Sequence, residues 1–161
     1  MPILHSQLSG KGQTPDGKTV DLPPSIPLQQ KGPVIQVTFG LADSVAQEWA
    51  KQGLQLPGTH SGLALIDTGA STTCIDEAIA QTLGLPIVDV GKMTSATHQD
   101  HPSNIYPIKI AVNGTAININ VPKAMGANLQ VQGLVVLIGR DVLSHCTLHY
   151  NGLNGQFTLC V

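Results

Sequence analysis

Asp67 is the residue on which this chain can build chemistry. The apolar run Leu63-Ala64-Leu65-Ile66 stops at Asp67-Thr68-Gly69-Ala70-Ser71 and continues as Thr72-Thr73-Cys74-Ile75. An apolar run that ends on a carboxylate, a hydroxyl and a glycine predicts a buried strand delivering one acid to a sharp turn. Taking an ionised Asp out of water without partners is costly, so an Asp at the end of a core strand is held by donors or held neutral. Thr68 offers a hydroxyl beside it. Gly69 can adopt the positive φ that turns backbone N–H groups back toward the carboxylate. A carboxyl cradled in this way is suited to acid–base work.

The other chemistry-bearing residues give weaker patterns. His98 and His101 have H-x-x-H spacing, but they lie in a polar, Pro-containing stretch with no matching Cys or His pair, so no metal site is predicted. Cys74, Cys146 and Cys160 are odd in number and contain no C-x-x-C pair, which reads as free thiols in the cytoplasm. His145 and Cys146 are neighbours, and adjacent residues on a strand or helix seldom face each other, so they make a poor nucleophile pair. No cofactor is implied.

Composition narrows the class of partner. The 161 residues carry 11% charged side chains, a formal net charge of −2 and 3% aromatics. There is no basic stripe or stacking surface for nucleic acid, and no apolar run long enough to span a bilayer. Met1 to Leu8 lacks the basic and apolar regions of a secretion signal. The expected partner is a peptide or protein. Residues 1–32 read as a Pro/Gly-rich arm, partly flexible and loop-like, and residues 33–161 as the folded domain.

Several elements must position Asp67. Ile35, Val37 and Phe39 alternate with Gln36 and Thr38, the period of a strand with one buried face. Ser44 stands three residues before Gln47, as in a capping box, and Leu41, Val45 and Trp49 recur at helical spacing up to Gly53, predicting a short inserted helix. That helix is either a surface cover on one end of the folded domain, a cover on a binding cleft or a contact with a second copy. After the Asp67 turn, Asp76 or Glu77 opens a second short helix that Gly84 and Pro86 end. Ile87-Val88-Asp89-Val90 leads into a polar stretch from Lys92 to Asn104. Ile108, Ile110 and Val112 alternate up to Asn113-Gly114, and a two-residue turn there pairs Val112 with Thr115, Ile110 with Ile117 and Ile108 with Ile119. Leu134 to Ile138 is apolar throughout, as a strand buried on both faces is. Two strands around Asn151-Gly152-Leu153-Asn154-Gly155 close the chain.

The Asp67-Thr68-Gly69-Ala70-Ser71 stretch, with aliphatics before it, resembles the catalytic loop of aspartic proteases. Leu134-Val135-Val136-Leu137-Ile138-Gly139-Arg140-Asp141-Val142-Leu143 resembles the strand, glycine and short helix that end retroviral proteases. The two signatures occur in this order, so the chain from about Val34 onward resembles the retropepsin-like family. The resemblance implies an all-β closed barrel with short helices, active as a two-fold homodimer. It implies Asp67 as the catalytic acid, Thr68 and Gly69 as support of its loop, and Ala70 and Ser71 as lining of the substrate cleft. Ile138, Gly139 and Arg140 would lie beneath the loop as structural residues. The polar stretch would be the flap, bringing Thr97 and His98 to the cleft, although the family's glycine-rich tip is here Ser95-Ala96-Thr97-His98-Gln99-Asp100-His101-Pro102. Retroviral enzymes place an acid where this chain has Ser71, to meet the arginine, so Arg140 has no evident partner. They also end in a strand that pairs with the partner chain, which makes the terminal hairpin a candidate dimer sheet.

The resemblance also implies a mechanism. Metal-free aspartic hydrolysis of a peptide needs two carboxyls, one ionised to take a proton from water and one protonated to hydrogen-bond the scissile carbonyl. This chain has one Asp-Thr-Gly. Asp16 lies in the arm and Asp141 follows the structural glycine, so the second carboxyl must be Asp67 of another copy. The same fold would also serve a non-proteolytic peptide- or partner-binding dimer, because fold does not fix function.

Overall fold

The computed structural model describes residues 1–93 and 101–161. The chain opens with β1 (Ile3–Gln7), the short strands β2 (Lys11–Gln13) and β3 (Thr19–Asp21), and helix α1 (Ser25–Lys31). Then come β4 (Val34–Leu41), α2 (Asp43–Lys51), β5 (His60–Ile66), β6 (Cys74–Asp76), α3 (Glu77–Leu83), β7 (Asp89–Met93), β8 (His101–Val112) and β9 (Asn118–Ala127). A 3-10 turn at Gln130–Gln132 precedes β10 (Val136–Ile138), α4 (Arg140–Leu143), β11 (Thr147–Asn151) and β12 (Gln156–Cys160).

Six strands form a closed barrel in the order β4-β5-β10-β6-β9-β8, with β8 pairing back onto β4, and β7 extends from β8 outside the ring. Closure leaves these strands no free edge. Ile35, Val37 and Phe39 of β4 are buried and Gln36 is exposed, as their alternation predicts. In β5 and β10 the side chains of Ala64, Ile66, Val136 and Ile138 belong to the barrel core. Leu63, Leu65 and Leu137, on the opposite faces, pack with Cys74, Met125, Leu129 and Leu134. Burial on both faces is why these segments read as unbroken apolar runs.

Two local expectations are corrected. The α2 capping box does not form: Ala42 occupies the cap position without a side-chain bond, and Ser44 lies inside the helix. Asp43 instead starts the helix and anchors it to the barrel wall, accepting from Lys109 Nζ at 3.0 Å and Asn120 Nδ2 at 3.1 Å. Val45, Ala46 and Trp49 pack against the core, so the inserted helix covers the barrel surface. The β8–β9 hairpin pairs Ile110 with Ile119 and Ile108 with Val121, two residues beyond the expected register. Thr115 widens the turn, donating its hydroxyl to the Val112 carbonyl at 2.9 Å and accepting the Ile117 N–H at 3.0 Å. A shift of two keeps each side chain on its face, so Ile108, Ile110, Ile117 and Val121 remain buried. Ile87 and Val88 are exposed ahead of β7, which starts only at Asp89.

The segment whose composition suggests a loop-like arm carries regular structure. Strand β1 pairs antiparallel with β12, and β2 and β3 form a small hairpin. This stretch has no core of its own and joins the main one: Leu28 is 0% exposed, while Leu4 and Leu8 pack on the central cluster. A Cβ on Gly155 would lie 2.1 Å from the Pro24 carbonyl carbon, so the terminal turn and the start of α1 are in close backbone contact. Both edges of β12 are therefore taken within the chain, by β1 and by β11. The last strand is not free to pair with a partner, and the three-stranded sheet β1-β12-β11 packs beside the barrel.

Candidate active site

Asp67 stands at the end of β5, half-buried, where the barrel strand gives way to a loop over residues 67–73. Its backbone N–H donates to the Ile138 carbonyl at 2.9 Å, extending the pairing of β5 with β10 by one residue. The Gly69 N–H turns back to Asp67 Oδ1 at 2.8 Å. This is the predicted cradle, but it forms without the left-handed φ expected of Gly69. The glycine provides room instead: a Cβ there would lie 3.0 Å from Asp67 Oδ1. Thr68 is exposed.

The loop is clamped from the side of β10 and α4. Arg140 Nη1 donates to the Thr68 carbonyl at 2.8 Å and to the Gly69 carbonyl at 2.9 Å. The sequence offers no acid for this guanidinium, and the structure supplies two main-chain oxygens of the Asp67 loop. Further along, the Arg140 N–H donates to the Ala70 carbonyl at 2.9 Å and the Asp141 N–H to the Ser71 carbonyl at 3.2 Å. Ala70 is half-buried and Ser71 exposed. Gly139 allows this approach because its backbone is pressed on the loop. A Cβ would come within 2.5 Å of the Thr72 carbonyl carbon, and no side chain can yield there. Ile138, Gly139 and Arg140 all contact the loop through their backbones or, for Arg140, its guanidinium.

Sequence reasoning missed the pair that closes the loop. Thr73 is fully buried, and Asp141 takes its N–H on Oδ2 at 3.0 Å and its hydroxyl on Oδ1 at 2.8 Å. The Thr73 hydroxyl in turn accepts the Gly139 N–H at 3.1 Å. The signal in the sequence is an acid in the first turn of α4 and a threonine at the end of the Asp67 loop; as a second catalytic carboxyl Asp141 is already committed. Asp76 is committed too, its buried carboxylate capping α3 through the Ile79 N–H and accepting the Leu129 and Gln130 N–H groups. Asp16, exposed in the turn between β2 and β3, is held by Thr14 and Lys18.

Burial holds two of the thiols above the ordinary cysteine range. Burial pushes the Cys74 thiol up to about 11, with the nearby Asp141 and Asp67 charges adding to the effect. Burial also raises the Cys146 thiol, which counts against a nucleophile built with its neighbour His145. Among the described residues, no group of three or more His, Cys, Asp and Glu is placed to hold a metal ion, and no helix is long and apolar enough to cross a membrane. Strands β7 and β8 form the hairpin expected as a flap, pairing Asp89 with Ile105 at its base. Thr97 and His98 lie outside the described residues.

A closed six-stranded barrel that presents an Asp-Thr-Gly loop over a strand, glycine and short helix defines a retropepsin-like aspartic protease fold. The profile of the family described as gag-polyprotein putative aspartyl protease matches residues 57–145, more than half of the chain and all of the loop with its clamp. The chain belongs to this family. Among solved structures it is similar to a retropepsin-like aspartic protease from Rickettsia conorii, with 12% identity, a TM-score of 0.44 and coverage of 98% of this chain and 92% of that one. The comparison with curated proteins finds no match.

Proposed function

We propose that the chain is an aspartic endopeptidase that hydrolyses peptide bonds through a dyad of two Asp67 carboxyls, one from each subunit of a homodimer, acting on water. Residues 33–161 would be the protease domain and residues 1–32 an accessory segment that completes its core. The observation that carries the reading is the Asp67 loop itself, one carboxyl on a loop held by the Gly69 N–H, Arg140 and Asp141. Only one such loop is encoded per chain. Two of them about a two-fold axis would share one proton, because like charges about 3 Å apart cannot both ionise. The exposed Thr68 would brace the opposite loop, and Ala70 and Ser71 would line the cleft. The three free cysteines support a cytoplasmic setting.

The test is cleavage of a diverse peptide pool between about pH 3 and 8, beside an Asp67→Asn protein prepared identically. Cuts present in the wild type on the acid side of neutrality and absent in the variant are expected. Specific activity falls on dilution, and Asp67→Asn chains mixed into active ones poison them. A rate flat from about pH 4 to 9 counts against a shared proton. If both proteins leave the pool intact while still dimerising, the fold serves peptide or partner binding instead.

A further inference from the structure

We infer that Glu77 is a positioning residue for substrate: from the first turn of α3 it fixes how the β7–β8 hairpin stands on the barrel beside Asp67. This deepens the protease reading above and rests on it.

The hairpin is lightly attached by its main chain. Over residues 108–111 strand β8 is held on both sides, by β4 and by β9. The register then shifts between Tyr106 and Ile108, and on the hairpin side of the shift only Ile105 and Tyr106 pair with β9, opposite Met125 and Ala124. Among the described strands β7 pairs with β8 alone, so it follows that half of β8 wherever it is set. A bulge interrupts the ladder and bends the strand, which leaves side chains to decide the angle beyond it.

Glu77 supplies that hold. Its Oε1 accepts the Tyr106 hydroxyl at 2.6 Å and the Asn104 Nδ2 at 2.8 Å, both on the hairpin side of the shift. Its other oxygen rests on β9: a Cβ on Gly126 would overlap Oε2, so only glycine leaves room there for the carboxylate. One side chain thus ties α3 to both strands. Tyr106 is 0% exposed, and hydrogen bonds to a carboxylate are roughly twice as strong as neutral ones, so the grip is large beside two main-chain pairs. A third bond to Oε1, from Gln81 Nε2 at 2.8 Å, stays within α3 and holds neither strand.

The opposite face of the hairpin leads to Asp67. Leu65 of β5, Leu137 of β10, Cys74 of β6, Met125 of β9 and Ile105 of β8 stand opposite one another in register, one row across five strands. A Cβ on Gly91 of β7 would meet Ile105 Cδ1 at 3.1 Å and Met125 Cε at 3.3 Å, so the second strand of the hairpin lies on the same row. Leu65 precedes Asp67 by two residues, which puts the row on the face to which β5 delivers its carboxyl. Asn104 and Tyr106 alternate with Ile105 and point away from that face, so Glu77 grips them from behind. A change at Glu77 therefore displaces the wall at Ile105 while the Asp67 loop stays under Arg140 and Asp141.

Steady-state cleavage of one peptide from the wild-type digest tests this in Glu77→Ala, Glu77→Gln, Asn104→Ala and Gln81→Ala. Glu77→Ala is expected to raise KM about tenfold with kcat within about twofold, Asn104→Ala to raise KM about threefold, and Gln81→Ala to leave it within about twofold. Glu77→Gln keeps an acceptor oxygen and should recover part of the loss. Hydrogen exchange on the same proteins should show amides of residues 101–106 losing protection in Glu77→Ala, with those of residues 67–73 and 108–112 unchanged. Protection lost evenly over the barrel, or a fall in kcat with KM unmoved, makes Glu77 an ordinary brace and overturns the inference while the protease stands. If Glu77→Ala does not fold, Asn104→Ala against Gln81→Ala decides, and equal KM values overturn the role. A wild type that cleaves no peptide overturns the protease reading and this role with it.

Discussion

Asp141 holds Thr73 with both oxygens of its carboxylate, one on the Thr73 N–H at 3.0 Å and one on its hydroxyl at 2.8 Å. Because Thr73 is wholly buried and its hydroxyl also receives the Gly139 N–H, this pair fastens the end of the Asp67 loop to the start of α4. The loop is thus bound at both ends, by Arg140 near the carboxyl and by Asp141 six residues beyond it.

Removing Asp141 leaves two buried donors without an acceptor. Asp141→Ala is expected to lose about 2–3 kcal/mol of stability or more, and Asp141→Asn an intermediate amount, since its amide keeps one acceptor oxygen. Urea denaturation measures this, and peptide cleavage at permissive temperature should fall with it. A wild-type midpoint in Asp141→Ala would show that the pair is dispensable.

Two glycines of the site should behave differently. Gly139→Ala drives a Cβ into the Thr72 backbone and should cost about 1–3 kcal/mol or more. Gly69→Ala meets only the Asp67 carboxylate, at 3.0 Å, and should change stability by less than about 0.5 kcal/mol while lowering turnover about tenfold or more by displacing that carboxyl. Thermal midpoints and turnover numbers of the two proteins separate the effects.

Stability should decline in alkali for an identifiable reason. Cys74 is raised by burial from 9.0 to about 11. Tyr106 is raised from 10.0 to about 12 by burial and then by Glu77, whose Oε1 accepts its hydroxyl at 2.6 Å. Both folded values exceed the unfolded ones, so the folded protein holds these protons more tightly. The stabilisation is complete below pH 9.0 and is lost as pH rises through about 11 and 12. Denaturant midpoints measured from neutrality upward should fall in that window, and a Cys74→Ala, Tyr106→Phe double variant should flatten the decline.

The first 31 residues should prove part of the folded unit. Leu28 is 0% exposed in the barrel-associated core, so Leu28→Ala is expected to cost about 2–5 kcal/mol. Chemical denaturation measures it; a loss below about 0.5 kcal/mol would return the segment to the status of an appendage.

The legible parts of this protein are those set by neighbours in the chain. Alternation in β4, the apolar runs of β5 and β10, Asp76 and Gly84 at the two ends of α3, and the strand-to-turn change at Asp67 all act over a few residues. The side-chain period and the turn residues record them. The less legible parts are set by where distant segments meet. Composition makes residues 1–32 look too poor in large apolar side chains to order, yet they order by adding Leu4, Leu8 and Leu28 to a core built elsewhere. The β8–β9 register moved by two because the Thr115 hydroxyl competed for the turn's backbone groups, a choice a two-residue turn rule does not contain.

By itself, then, the sequence determined the barrel strands and the one acid they deliver, because hydrophobic period and turn chemistry are local and written in side chains. Tertiary structure alone decided what holds that acid in place. Arg140 reaches across 72 residues to the Thr68 carbonyl, and Asp141 across 68 to Thr73. It also set β12 between β1 and β11. Main-chain carbonyls and strand edges are the same at every residue, so no side-chain pattern marks which of them a distant group will meet.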